Sequence, residues 1–148
     1  MRIVLDTSVV VELDRRNQEV IELIKKTAVQ EHQLLVSTIT VSEILAGSYR
    51  RTDAKRAVAE AKSILTQFVW ANLDSITAEK VGEYLAYLGS RKKRIEYPDV
   101  AIAATFKTSN ADYLLTLNKA DFVVLPELAG KVLTPAEFRS VLEAMQKQ

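Results

Sequence analysis

Cysteine is absent from the 148 residues, and histidine occurs once, at His32. Those two gaps exclude disulfides, zinc–thiolate centres, thiol nucleophiles and any site built from two imidazoles. Glycine and proline are scarce as well, at four and three positions. There is accordingly no glycine-rich turn after the first apolar run to cradle a dinucleotide, and no linker-like or low-complexity stretch to divide the chain. No apolar run approaches membrane-spanning length. After Ile3-Val4-Leu5 the chain reaches Asp6, too soon for the hydrophobic region of a signal peptide. A cytoplasmic protein with no membrane part is expected, and oxygen atoms are the metal donors that remain.

Neither sign of charge dominates. Twenty basic residues against 19 acidic ones give a net charge of +1, so a polyanionic partner would have to be held by a local patch. Hydrophobic residues make up 48% and charged residues 26%, the balance of a compact globular chain rather than a disordered one. A length of 148 residues suits one domain that buries a core without staples, and residues 1–148 are read as one domain.

Short apolar runs alternate with amphipathic stretches. Ile3-Val4-Leu5 reads as a buried strand stopped by Asp6-Thr7-Ser8, a triplet able to cap a following helix. Helical spacing through Val20, Ile21, Ile24 and Ala28 leads to a second strand at Leu34-Leu35-Val36, and then to a helix from Ile39 to Tyr49. Ala54 to Phe68 and Ala78 to Leu88 repeat at helical spacing, with a short strand possible at Val69 to Leu73 between them. Asp99 to Lys107 reads as a small-residue helix. Tyr113 to Thr116 and Phe122 to Leu125 read as two further strands, and Pro135 opens a last helix whose Phe138, Val141, Leu142 and Met145 share one face. This alternation predicts an α/β fold, a three-layer α/β/α sandwich with a mostly parallel central sheet.

In such sheets ligands bind beyond the carboxyl ends of the strands, and four acids fall at junctions near that edge: Asp6, Glu43, Asp99 and Asp121. Each has an ordinary explanation. Asp6 or Ser8 can cap a helix; Thr40-Val41-Ser42-Glu43 fits a capping box; Asp99, after Pro98, complements a helix dipole; Asp121 suits a turn before a strand. Their conjunction points instead to one shared oxygen site. Magnesium or manganese fits it, because hard cations prefer carboxylate and water oxygens. Clustered carboxylates also repel one another, so some of their pKa values should rise until a cation neutralises them. Asp112 is a rival acid, placed at a strand start and outside the cluster.

Arg91-Lys92-Lys93-Arg94 is the one dense basic run and lies just before Asp99. It reads either as a phosphate-steering patch or as a solvated helix end whose cations complement the dipole, and Arg50-Arg51 carries the same ambiguity. His32 reads as an exposed helix-end residue. Tyr84 and Tyr87 read as packing or interface residues ahead of base-stacking ones.

The ordered pieces Ile3-Val4-Leu5-Asp6-Thr7-Ser8, Ser42-Glu43-Ile44, Pro98-Asp99-Val100-Ala101-Ile102-Ala103-Ala104-Thr105 and Leu114-Leu115-Thr116-Leu117-Asn118-Lys119-Ala120-Asp121-Phe122 together resemble the PIN-domain family, and most closely its VapC-type toxins. The match runs through almost the whole chain. The resemblance implies a metal-dependent endoribonuclease that cleaves RNA phosphodiester bonds, with Mg2+ or Mn2+ held by Asp6, Glu43, Asp99 and Asp121. It assigns Thr116 and Asn118, with Thr7 or Ser8, to orienting water or phosphate. A homodimer and a cognate antitoxin that masks the acidic groove are likewise implied, making the chain the toxin of a type II toxin–antitoxin pair. The alternatives are a non-catalytic PIN-like module that binds RNA or protein, or a housekeeping RNA-processing nuclease. A magnesium-dependent phosphatase would want a second aspartate two positions after Asp6, where this chain has Ser8. One departure is that many relatives carry a glycine shortly before the third acid, whereas this chain reads Arg91-Lys92-Lys93-Arg94-Ile95-Glu96-Tyr97-Pro98.

Overall fold

Apolar side chains that are buried on both faces of a strand force that strand into the middle of a sandwich, because neither face meets water. The computed structural model, which describes residues 1–148, shows this in β1 (Arg2–Leu5), β2 (Gln33–Ser37) and β4 (Tyr113–Leu115). Ile3 and Leu5 face one core while Val4 faces the other; Leu34 and Val36 are divided from Leu35, and Leu115 from Leu114, in the same way. With β3 (Val69–Ala71) and β5 (Val132–Leu133) they form a five-stranded sheet in the order β3-β2-β1-β4-β5. All four pairings are parallel.

Parallel strands need crossovers, and helices supply them. On one face the core is built with α1 (Thr7–Asp14), α2 (Gln18–Val29), α3 (Thr38–Tyr49), α4 (Ala54–Leu65) and α8 (Pro135–Gln146). On the other it is built with α5 (Ser75–Ser90), α6 (Tyr97–Thr108) and the one-turn α7 (Lys119–Phe122). The result is a three-layer α/β/α sandwich. In α6 every residue from Val100 to Phe106 is buried, which explains its run of alanines: large side chains on all sides would not fit between the sheet and α5.

The structure differs from the sequence reading in four places. Phe122 to Leu125 is not a strand: Phe122 ends α7, and Phe122 and Leu125 are buried while Val123 is 39% exposed. That is the three-residue spacing of a helical turn, which a four-residue apolar run does not distinguish from a strand. The last strand is the two-residue β5 instead. Between β1 and β2 the chain makes two helices, broken at Arg16 with φ 61° and restarted where the Asn17 side chain accepts from the Val20 amide. Glu43 belongs to no capping box; α3 begins at Thr38 with Ser37 as its cap, and the true capping box joins Thr134 and Glu137 ahead of α8. Finally, His32 is not an exposed helix-end residue. It is partly buried before β2, its Nδ1 is 3.2 Å from the terminal ammonium, and its pKa is lowered by burial and by that ammonium. The possible strand at Val69 to Leu73 is present as β3. No helix is long and apolar enough to cross a membrane.

Candidate active site

From β1 the chain proceeds outward to β2 and β3, then returns to place β4 and β5 on the other side of β1. The crossovers therefore diverge between β1 and β4, the arrangement that in open α/β sheets sets a ligand crevice at the carboxyl edge of such a pair; the larger cavities of the molecule lie elsewhere. Asp6 follows β1 there and Thr116 follows β4. The Asp6 amide donates to the Leu115 carbonyl at 2.9 Å, which ties the two strand ends together.

Asp6 is only 3% exposed, and a buried carboxylate needs hydrogen bonds to stay charged. Its Oδ2 accepts from Ser8 Oγ and from Thr116 Oγ1, each at 2.7 Å. Both hydroxyls are themselves fixed by backbone amides: Leu117 N donates to Ser8 Oγ at 3.0 Å and Asn118 N to Thr116 Oγ1 at 2.9 Å. Each hydroxyl hydrogen is thus directed at the same oxygen. Oδ1 accepts no hydrogen bond from the protein. Asp6 occupies the N-cap position of α1, yet its side chain makes no cap bond, so the capping explanation fails for this residue.

Glu43 projects from the second turn of α3, where Thr7 Oγ1 donates to its Oε1 at 2.7 Å; Thr40 Oγ1 lies 3.0 Å from the same threonine hydroxyl. Asp99 sits in the first turn of α6. Burial first, and then the charges of Asp6, Asp121, Glu43 and Glu96 in that order, push its carboxyl up to about 6. No lysine or arginine is among the groups that set it. Asp121, exposed on α7, completes the set. Asp99 therefore lies within the field of Asp6, Asp121 and Glu43. The four side chains remain apart, with no three gathered as closely as the ligands of one ion.

A family model described as PIN domain matches residues 3–129. The chain belongs to the PIN-domain family. Its fold is shared with a VapBC2 complex from Rickettsia felis bound to a promoter DNA fragment: TM-score 0.83 and 18% identity over 90% of this chain and 98% of that one. It is similar also to FitAcB from Neisseria gonorrhoeae, at TM-score 0.72 and 25% identity over 90% of this chain and 98% of that one. VapC20 from Mycobacterium tuberculosis, described as a sarcin–ricin loop cleaving toxin, matches at TM-score 0.56 and 18% identity over 76% of this chain and 86% of that one. No curated protein sequence matches significantly.

PIN-domain nucleases generally use divalent metal ions, and this crevice has the donor chemistry for one: oxygen atoms only, one buried carboxylate with a free oxygen, and neighbouring acids with no internal cation to balance them. Thr116 braces Asp6, while Asn118 is exposed and its side-chain amide makes no hydrogen bond to the protein. Asp112 lies at the far end of the sheet, where its carboxylate accepts from the Arg2 amide at 2.7 Å. Four residues of strand separate that level from Asp6, about 13 Å. Tyr84 is buried, and Tyr87 lies under Arg91. Sequence reasoning missed Thr40 as a support for the Thr7–Glu43 pair, because its spacing to Glu43 imitates a capping box. It also missed Glu96, whose nearness to Asp99 follows from the chain entering α6 there.

Proposed function

We propose that this PIN-domain chain is a metal-dependent endoribonuclease and the toxin of a toxin–antitoxin pair, with Asp6, Glu43, Asp99 and Asp121 holding Mg2+ or Mn2+. The observation that carries this reading is the buried Asp6 carboxylate, whose Oδ2 is clamped by Ser8 and Thr116 while Oδ1 is left unbonded, with Asp99 in its field and no cation among the groups around Asp99. When bound, the ion would activate water for in-line attack on phosphorus and stabilise charge on the phosphate oxygens.

Asp6 presents its free Oδ1 while Ser8 and Thr116 fix the other oxygen. Glu43 is oriented by Thr7, and Asp99 lies within the field of both from α6. The exposed Asp121 must turn inward from α7 to join them, and the Asn118 amide is free to orient water or a phosphate oxygen. The hydroxyls of Ser8 and Thr116 donate to Asp6 and that of Thr7 to Glu43, which leaves water as the attacking group.

The antitoxin reading draws on the toxin–antitoxin complexes among the similar structures. A cleft of about 360 Å³ between α1, α2 and α4 has an apolar floor of Leu13, Ile21, Ile24, Ile64 and Phe68 and a rim that includes Asp14, Arg16, Lys25 and Glu60. An amphipathic helix of the antitoxin fits that chemistry. We take the chain to act as one domain and as a homodimer in the cytoplasm; light scattering and a single unfolding transition test the first two.

One assay tests the activity: purified protein with RNA, DNA or a phosphomonoester, with and without Mn2+. Cleavage confined to RNA, dependent on the ion and abolished in folded Asp6→Asn and Asp99→Asn variants is the expected result. Undiminished turnover in either variant removes that residue from the reaction, and inert wild-type protein leaves only a binding module.

A further inference from the structure

Arg91, Lys92, Lys93 and Arg94 connect the end of α5 to α6, whose third residue is Asp99. All four are exposed, and none enters any of the six side-chain ion pairs in the molecule. A helix C-terminus favours cations within its last turn. That accounts for Arg91 at the C-cap but not for three more beyond it.

The turn is a defined structure. Lys93 N donates to the Leu88 carbonyl at 2.9 Å and Lys92 N to the Gly89 carbonyl at 3.2 Å, the paired bonds of a Schellman motif. The left-handed position of that motif is held by Lys92, with φ 52°, although glycine is its usual and least strained occupant. Lys92 shares this conformation with Arg16, Glu31, Asn110 and Glu127, so the strain fixes the shape of the turn, and it is the number of the cations and their lack of partners that call for a ligand. The Arg91 guanidinium carbon lies 4.1 Å from the centre of the Tyr87 ring, which holds its charge against α5. Tyr97, 51% exposed, stands at the start of α6 between the basic turn and Asp99.

We propose that the α5–α6 turn is a phosphate-tracking strap: Arg91 to Arg94 engage the backbone of a single-stranded RNA, and Tyr97 stacks on a base of that strand as it enters the acidic crevice. An RNA strand is the occupant that four unpaired cations and an exposed aromatic ring match in chemistry. Its path then continues to the site where the acids lie. This inference rests on the ribonuclease reading of the crevice.

The test is fluorescence anisotropy with a labelled single-stranded RNA oligonucleotide in EDTA over a series of KCl concentrations. For single strands, log affinity falls with log salt by about 0.7 per neutralised phosphate, so Lys92→Gly with Lys93→Gln and Arg94→Gln should flatten the slope by about 2 and weaken binding at least tenfold. Lys92→Gly alone is expected to raise the melting temperature by relieving the left-handed strain while weakening RNA binding, a combination that a purely structural lysine would not give. Tyr97→Ala should weaken binding with the slope unchanged, and Tyr97→Phe should restore it. An unchanged slope and an affinity within twofold of wild type in the triple variant overturn the strap. Failure of the ribonuclease reading shows separately, as absent cleavage with Mn2+, and leaves the anisotropy result decisive for the strap.

Discussion

Replacing Asp99 by asparagine should stabilise the metal-free protein while removing its response to metal. The side chain keeps its shape and loses one charge, so the effect isolates the electrostatic cost of the crevice. Burial and the neighbouring carboxylates move the Asp99 pKa from 3.8 to about 6. One pKa unit is about 1.4 kcal/mol, so ionising Asp99 at pH 7.5 would cost about 3 kcal/mol if no solvent reached it. The group keeps part of its contact with water, and screening reduces the figure to about 1–2 kcal/mol. At about 2–4 °C per kcal/mol for a chain of this size, Asp99→Asn should melt about 2–8 °C higher in EDTA at pH 7.5. The sign follows from linkage: the folded carboxyl binds its proton more tightly than the unfolded one, so the penalty is fully present above pH 6 and fades as pH falls toward 4. Wild type and variant should therefore converge in acid. Because the cation competes with that proton, wild-type stabilisation by Mn2+ should weaken as pH falls below 6. Calorimetry at three pH values checks all of this. A variant that melts lower than wild type in EDTA at pH 7.5, or a difference that does not change with pH, would refute the reasoning.

Two further substitutions address the supports of the site. Thr116→Val removes one of the two hydroxyls on Asp6 Oδ2 and should cost about 1.5–3 kcal/mol along with most RNA cleavage, whereas Thr116→Ser should retain both; urea titration and a cleavage assay read the contrast, and equal behaviour of the two variants would show that the hydroxyl is dispensable. Phe122→Ala empties the buried anchor of α7 and should cost about 3–5 kcal/mol; if Asp121 depends on that anchor, the apparent metal affinity of the remaining folded protein should also fall.

The parts of the fold visible in the sequence are those where one physical demand acts alone. Ile3-Val4-Leu5 and Leu34-Leu35-Val36 announce strands because both of their faces need cover, and Thr134-Pro135 announces a helix because proline suits the first turn. Phe122 to Leu125 reads as a strand because a four-residue apolar run fits a strand and a helical turn equally well, and only the burial of Phe122 and Leu125 with Val123 exposed separates the two. β5, with only two residues, has no periodicity to read at all. Within the site, the acids themselves stood out by falling at element junctions. Their supports did not: nothing local to Thr116 shows that its partner is Asp6, 110 positions earlier, and Thr40 is adjacent to Thr7 only because β1 and β2 lie side by side.

That separation along the chain has a temporal consequence. A growing polypeptide that has completed β1, β2 and their helices still lacks the threonine that clamps its first acid and the short helix that carries its last. Every local piece can be in place without the ensemble existing. The finished site then arises together with the long-range strand pairing that is characteristically the slow part of folding, so the first acid waits, unclamped, until β4 has docked beside β1.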